Sequence, residues 1–183
     1  MRTLVLAAVC IALLPGCGSK EPANAAPSKA EIQKAFAGSP PKLTALHNQG
    51  NQLLGGGKDA FHARLDQLRG YPVVVNSWGS WCAPCRGEFP VFQKVAVQQG
   101  KRVAFLGLDA QDNDGNAHKF LKQFPVTYPS YKDPDVKVSN SIRAGGYFPT
   151  TIFFDKNGKL VYAHPGPYKD AKDLIADIRR YAE

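Results

Sequence analysis

Apolar and polar positions follow different periods in successive stretches of the chain. Leu4 to Leu14 is an unbroken apolar run behind Met1-Arg2. From Gly18 to about Pro41 the chain is dominated by Ala, Pro, Ser, Lys and Glu and reads as a flexible tether. In residues 42–70, Leu43, Leu46, Leu53 and Leu54 are apolar and Gly55-Gly56-Gly57 makes a break. Phe61, Leu65 and Leu68 follow at i, i+4 and i+7, which predicts a short amphipathic helix over Ala60–Leu68, closed by Gly70. Tyr71–Asn76 is continuously apolar and suits a strand at the centre of a sheet.

A helix is predicted from Cys82 to Gln98. Pro84 falls in its first turn, where N–H groups have no helical partner. Pro90 lies deeper and should kink it, and Gly100 ends it. Arg102–Leu108 reads as a second buried strand. Ala117–Phe124 reads as a helix capped by Asp114 or Asn116 and stopped by Pro125. Asp135–Ile142 is a further short helix. Thr150–Phe154 and Leu160–Ala163 flank Asp155-Lys-Asn-Gly158, a hairpin signal. Leu174, Ile175, Ile178 and Tyr181 mark a closing amphipathic helix after Asp170. Parallel pairs made by crossovers plus one antiparallel hairpin give an α/β fold, a mixed central sheet flanked by helices.

The apolar run at the N-terminus is shorter than the ~20 residues a membrane-spanning helix needs. With Arg2 before it, residues 1–16 read as a secretory signal peptide. Leu14-Pro15-Gly16-Cys17 resembles a bacterial lipobox, which implies cleavage before Cys17 and lipidation of that residue. The alternative is a soluble secreted or periplasmic protein cleaved near Ala23–Ala26. The expected organisation is therefore a signal peptide over 1–16, a lipidated N-terminus and tether over 17–41, and one domain over 42–183. Over the 183 residues the formal net charge is +8. Such a surface favours anionic lipids or wall polymers, or simply solubility. Without arginine clusters interleaved with aromatics, nucleic acid is not an expected partner.

The chain has four cysteines, at positions 10, 17, 82 and 85. Cys10 falls in the leader and Cys17 in the lipidation motif, which leaves Trp81-Cys82-Ala83-Pro84-Cys85 to carry chemistry. Two cysteines at this spacing on a helix N-terminus can form a disulfide. The first should be exposed and face free backbone N–H groups, which favours the thiolate, the attacking species in exchange. The second, one turn in and more buried, would resolve the mixed disulfide. A zinc site needs four ligands, and neither a second cysteine pair nor histidine spacing supplies them. An inert disulfide is the other reading, although so small a loop constrains the unfolded chain little. Asp109–Asp114 reads as a strand-end loop with helix-cap residues, lacking the register of an EF-hand.

Val73 to Pro90, with Trp78-Gly-Ser-Trp-Cys-Ala-Pro-Cys-Arg-Gly-Glu-Phe-Pro90 at its core, and Phe148-Pro149-Thr150-Thr151 before the hairpin resemble the TlpA/ResA-like membrane-anchored thiol–disulfide oxidoreductases. The resemblance runs from about Tyr71 to Tyr181. It implies a thioredoxin-like fold with a helix–strand insertion between Asp109 and Asp135. It implies Cys82 as nucleophile, Cys85 as resolving cysteine and Glu88 as the group that moves a proton at Cys85. Pro149 would be a cis-proline, and Trp81, Ala83, Pro84, Phe148 and Pro149 would form the surface that meets substrate. Asn76 stands where thioredoxin carries a buried aspartate, so that proton route is missing, and Trp78 is a core residue. The early Pro-x-Phe-x-Leu motif of the group is absent, which leaves residues 42–70 to cover the sheet edge in another way or to meet a partner.

These implications make the expected activity reduction of disulfides in exported proteins, apocytochrome c among the candidates, by a monomer at the extracytoplasmic face of the membrane. A membrane thiol carrier would supply electrons, and neither cofactor nor metal is expected. A disulfide-forming oxidase is the alternative within the class. A copper- or haem-handling chaperone is the alternative outside it, against which stands the lack of methionine or histidine beside the cysteines.

Overall fold

The computed structural model describes residues 27–182. The leader expected over 1–16 and the lipidation expected at Cys17 lie outside the described residues. Lys29–Phe36, expected within the tether, forms helix α1. Ser28 and Glu31 cap it reciprocally: the Glu31 N–H donates to Ser28 Oγ at 3.3 Å and the Ser28 N–H to Glu31 Oε2 at 2.7 Å. Phe36 then stacks on His47 with ring centroids 3.7 Å apart. Gly100 makes this approach possible, because a Cβ there would sit 2.7 Å from the Phe36 ring.

The sheet has six strands in the order β1-β4-β3-β2-β5-β6. These are β1 (Leu53–Leu54), β2 (Val73–Trp78), β3 (Ala104–Ala110), β4 (Ser130–Asp133), β5 (Thr150–Phe154) and β6 (Leu160–Pro165). β1, β4, β3 and β2 are parallel, and β5 and β6 add antiparallel. β2 and β3 are buried along their whole length, as an apolar run with parallel neighbours requires. In the hairpin turn, Asp155 Oδ1 accepts from the Asn157 and Lys159 amides, both at 2.9 Å.

Helices cover both faces. On one face α4 (Ala83–Gln99), α5 (Asp114–Gln123) and α7 (Ala171–Tyr181) pack over Val74, Trp78, Phe105 and Phe153. On the other, α2 (Pro41–His47), α3 (Gly57–Gln67) and α6 (Lys137–Ser141) pack over Val73, Val75, Leu106 and Ile152. Successive strand residues thus serve opposite cores.

Several elements differ from expectation. β1 is not evident in the hydrophobic pattern, nor is β4, which with α5 forms the helix–strand insertion that the resemblance implies between Asp109 and Asp135. β4 is Ser-Tyr-Lys-Asp, held by pairing with β3, and β1 covers its outer edge. Residues 42–70 supply this edge strand and also bury Leu43, Leu46 and Phe61 in the core on one face of the sheet. α5 begins earlier than expected and its cap is Asn113, whose Oδ1 accepts from the Asn116 amide at 3.0 Å, not Asp114 or Asn116. α4 runs through Pro90, whose missing N–H leaves the Arg86 carbonyl without a helical donor.

Candidate active site

The C-terminal ends of the central strands β2 and β3 and the start of antiparallel β5 meet at one end of the sheet. β2 leads through Gly79, Ser80 and Trp81 to Cys82, the N-cap of α4. Cys82 and Cys85 are joined as a disulfide, with Cα atoms 5.3 Å apart. The Cys85 amide points at Cys82 Sγ, 3.2 Å away, so a free N–H of the first helical turn already faces the sulfur that would carry charge after reduction. The positive end of the α4 dipole acts in the same sense.

Cys82 is only 3 % exposed, which corrects the expectation of an open first cysteine. Its sulfur is turned back over the first turn of α4 toward the Cys85 amide, while Trp81, Ala83 and Pro84 around it are the exposed residues. Cys85 is fully buried.

The loop before Cys82 is tied down from several sides. Asp112 Oδ2 accepts from the Ser80 amide at 2.6 Å, and Arg86 Nη2 donates to the Ser80 carbonyl at 3.0 Å. The Trp81 indole N–H donates to the Ala110 carbonyl at 3.1 Å, leaving the ring half exposed beside the disulfide. Glycine is needed at position 79, where a Cβ would come within 2.7 Å of the Trp81 ring and 3.0 Å of the Ala110 carbonyl. Trp78 is wholly buried, stacked on Phe120 at 4.8 Å and hydrogen-bonded to Ser130 Oγ at 3.2 Å.

The Phe148–Pro149 peptide is cis, as expected. Thr150 pairs with Ser77, which sets this peptide beside the end of β2. Phe148 meets Trp81 edge to face, ring centroids 5.3 Å apart. Pro149 is buried, Phe148 half-buried and Tyr147 exposed, so the rim of the site is aromatic.

Glu88 sits one turn beyond Cys85 and is fully buried. Burial pushes its carboxyl up to about 8, against the opposing pull of hydrogen bonds from Asn76 and the Tyr168 amide. Asn76 Nδ2 donates to Oε1 at 2.6 Å and the Tyr168 N–H donates to Oε2 at 3.2 Å. Asn76 Oδ1 is buried without a partner. Asn76 can thus serve both states of Glu88: its Nδ2 donates to the carboxylate, and a turned amide would accept from the acid. Asn76 has no proton of its own to pass on, but it holds the Glu88 carboxyl.

Sequence reasoning missed two further carboxyls. Asp109 lies one residue before the end of β3 and is buried; burial first, then the charge of Asp112, raises its carboxyl to about 8. Asp112 grips the active-site loop. Both lay within a stretch read as helix-capping loop; the pairing of β2 with β3 sets Asp109 beside Trp78 and brings Asp112 to Ser80. Among the described residues no cluster of three or more His, Cys, Asp or Glu could hold a metal ion.

A dithiol–disulfide pair on a helix N-terminus, a cis-proline beside it and a poised buried carboxyl define the chemistry of thiol–disulfide exchange, set on a thioredoxin-like fold. The chain belongs to the Redoxin family, whose model matches residues 41–178. It is 36 % identical over 98 residues to the thiol-disulfide oxidoreductase ResA of Geobacillus thermodenitrificans, covering 53 % of this chain and 56 % of that protein. The match thus spans little more than half the length of that curated relative. Among solved structures it resembles DsbF of M. tuberculosis (27 % identity, TM-score 0.58, covering 63 % of this chain and 84 % of that one). It also resembles a DsbF homologue of Corynebacterium diphtheriae (30 % identity, TM-score 0.54, 63 % and 75 % covered).

Proposed function

We propose that this protein reduces disulfides of exported proteins outside the cytoplasmic membrane, with Cys82 as nucleophile, Cys85 as resolving thiol and Glu88 as proton carrier. The observation that carries the reading is the Cys82–Cys85 pair at the start of α4, with an amide N–H aimed at Cys82 Sγ and a carboxyl poised at about 8 one turn below.

In the reduced protein the Cys82 thiolate attacks one sulfur of a substrate disulfide. That S–S bond breaks, the leaving sulfur takes up a proton, and a mixed disulfide remains on Cys82. Ionised Glu88 accepts the proton of Cys85; the new thiolate attacks Cys82 Sγ and releases the second substrate sulfur. Two electrons pass to the substrate and the Cys82–Cys85 disulfide is left. A dithiol carrier in the membrane returns two electrons and two protons. Trp81, Ala83, Pro84, Phe148 and Pro149 offer the surface on which an extended substrate segment lies. The leader and Cys17 motif support a lipid-anchored, extracytoplasmic location. Among the described residues no helix is long and apolar enough to cross a membrane.

Cys85→Ser keeps the nucleophile and removes the resolving thiol. Expressed in its own cells it should accumulate mixed disulfides with exported proteins, while Cys82→Ser accumulates none. Capture by neither variant would contradict the reading. Cytochrome c precursors whose haem-attachment cysteines are joined as a disulfide are the candidates to seek among the captured proteins. An anaerobic Cu(I) titration that shows thiol-dependent binding but no exchange would favour the chaperone alternative.

A further inference from the structure

The loop that holds Glu88 from the far side is itself locked in place. It runs Gly166-Pro167-Tyr168-Lys169 between β6 and α7. Tyr168 is buried. Its ring stacks on His164 with centroids 4.3 Å apart and meets Phe92 of α4 edge-on at 6.3 Å. Its hydroxyl donates to Asp177 Oδ2 on α7 at 2.6 Å, a short hydrogen bond to a carboxylate. His164 Nδ1 stands 3.8 Å from the same oxygen.

We infer that Tyr168 and Asp177 are positioning residues: the Tyr168–Asp177 hydrogen bond fixes the loop whose backbone amide holds the Glu88 carboxyl beneath Cys85. This rests on the role given to Glu88 above. The clamp joins α7 to α4 through one residue that bonds with its hydroxyl at one end and its amide at the other. The N–H favours the ionised form of Glu88, so its position decides how readily the carboxyl gives up its proton. The groups facing Glu88 are Asn76 of β2, Cys85 on its own helix, the Tyr168 amide and the buried Tyr128, whose hydroxyl is raised by burial and by Glu88. Those facing the clamp are His164 and Tyr162 of β6 and Arg180 of α7.

The test follows Glu88 itself. In the oxidised full-length chain its protonation can be titrated by the carboxylic-acid C=O band in difference infrared spectra, assigned with Glu88→Gln. Tyr168→Phe keeps the ring and its burial but loses the hydroxyl; Asp177→Ala loses the acceptor; Asp177→Asn retains one. The first two should raise the Glu88 midpoint by about half a pH unit or more, and Asp177→Asn should stay within about 0.2 of the wild type. Unchanged or lowered midpoints in folded Tyr168→Phe and Asp177→Ala proteins would overturn the inference, even if both unfold more easily. Should Asp177→Ala fail to fold, the milder Tyr168→Phe decides alone. The readout needs no turnover, so wild-type protein inert in exchange would reject the proposed function and leave the clamp to be judged by the midpoints.

Discussion

Glu88 and Asp109 are the two carboxyls raised above their ordinary values among the described residues. Both carboxyls are raised to about 8, from ordinary values of 4.5 and 3.8, with burial as the first cause. Each is protonated in the folded chain at pH values where the unfolded chain has already lost the proton. The folded state therefore binds more protons between about 4 and about 8, and stability falls as pH rises through that window. Denaturant melts across this range should show the decline, and Glu88→Gln should make it shallower while leaving Asp109's share in place. The same substitution should slow resolution of the mixed disulfide by roughly a hundredfold or more and erase the ionisation near pH 8 from its pH–rate profile. Stopped-flow measurement of the second exchange step checks both. The cysteine pair, Glu88 and Pro149 were legible because they sit in two contiguous motifs. Asp112 and Tyr168 were not, because the fold brings each to the site from a loop distant in sequence.

At the scale of elements, residues 42–70 carry much of one core. Leu43 and Leu46 of α2 are at most 1 % exposed and pack against the sheet with Phe61 and Leu65 of α3. Leu43→Ala should cost about 2–5 kcal/mol in chemical denaturation with little change in exchange rate, since the cysteines lie over the opposite face. The long periodic helices and the β2, β3 and hairpin strands could be read from apolar spacing. β1 and β4 could not, because a short polar strand is defined by the edge it pairs with. The capping box at Ser28 and Glu31 was a readable sign of α1, outweighed by the surrounding Ala, Pro and Lys. The loop from Gly79 to Trp81 depends on elements outside it. Asp112→Ala frees the Ser80 amide, and Gly79→Ala forces Trp81 from its place against Ala110. Both should weaken substrate capture several-fold, seen as a higher KM with a smaller change in kcat for a disulfide peptide.

The whole molecule places a polarised active-site edge at the end of a mixed sheet, with an aromatic rim of Trp81, Tyr147 and Phe148 around a nearly closed disulfide. A closed cysteine pair suits a protein that selects its substrates, since a cysteine only 3 % exposed is best reached by a segment that fits the rim. The direction of electron flow is the central claim. Equilibration of the Cys82–Cys85 pair against glutathione or dithiothreitol mixtures measures it directly. A reductant should have a standard potential near the about −270 mV of thioredoxin, whereas a value near the about −120 mV of a strong oxidant would contradict the account and make the protein a donor of disulfides.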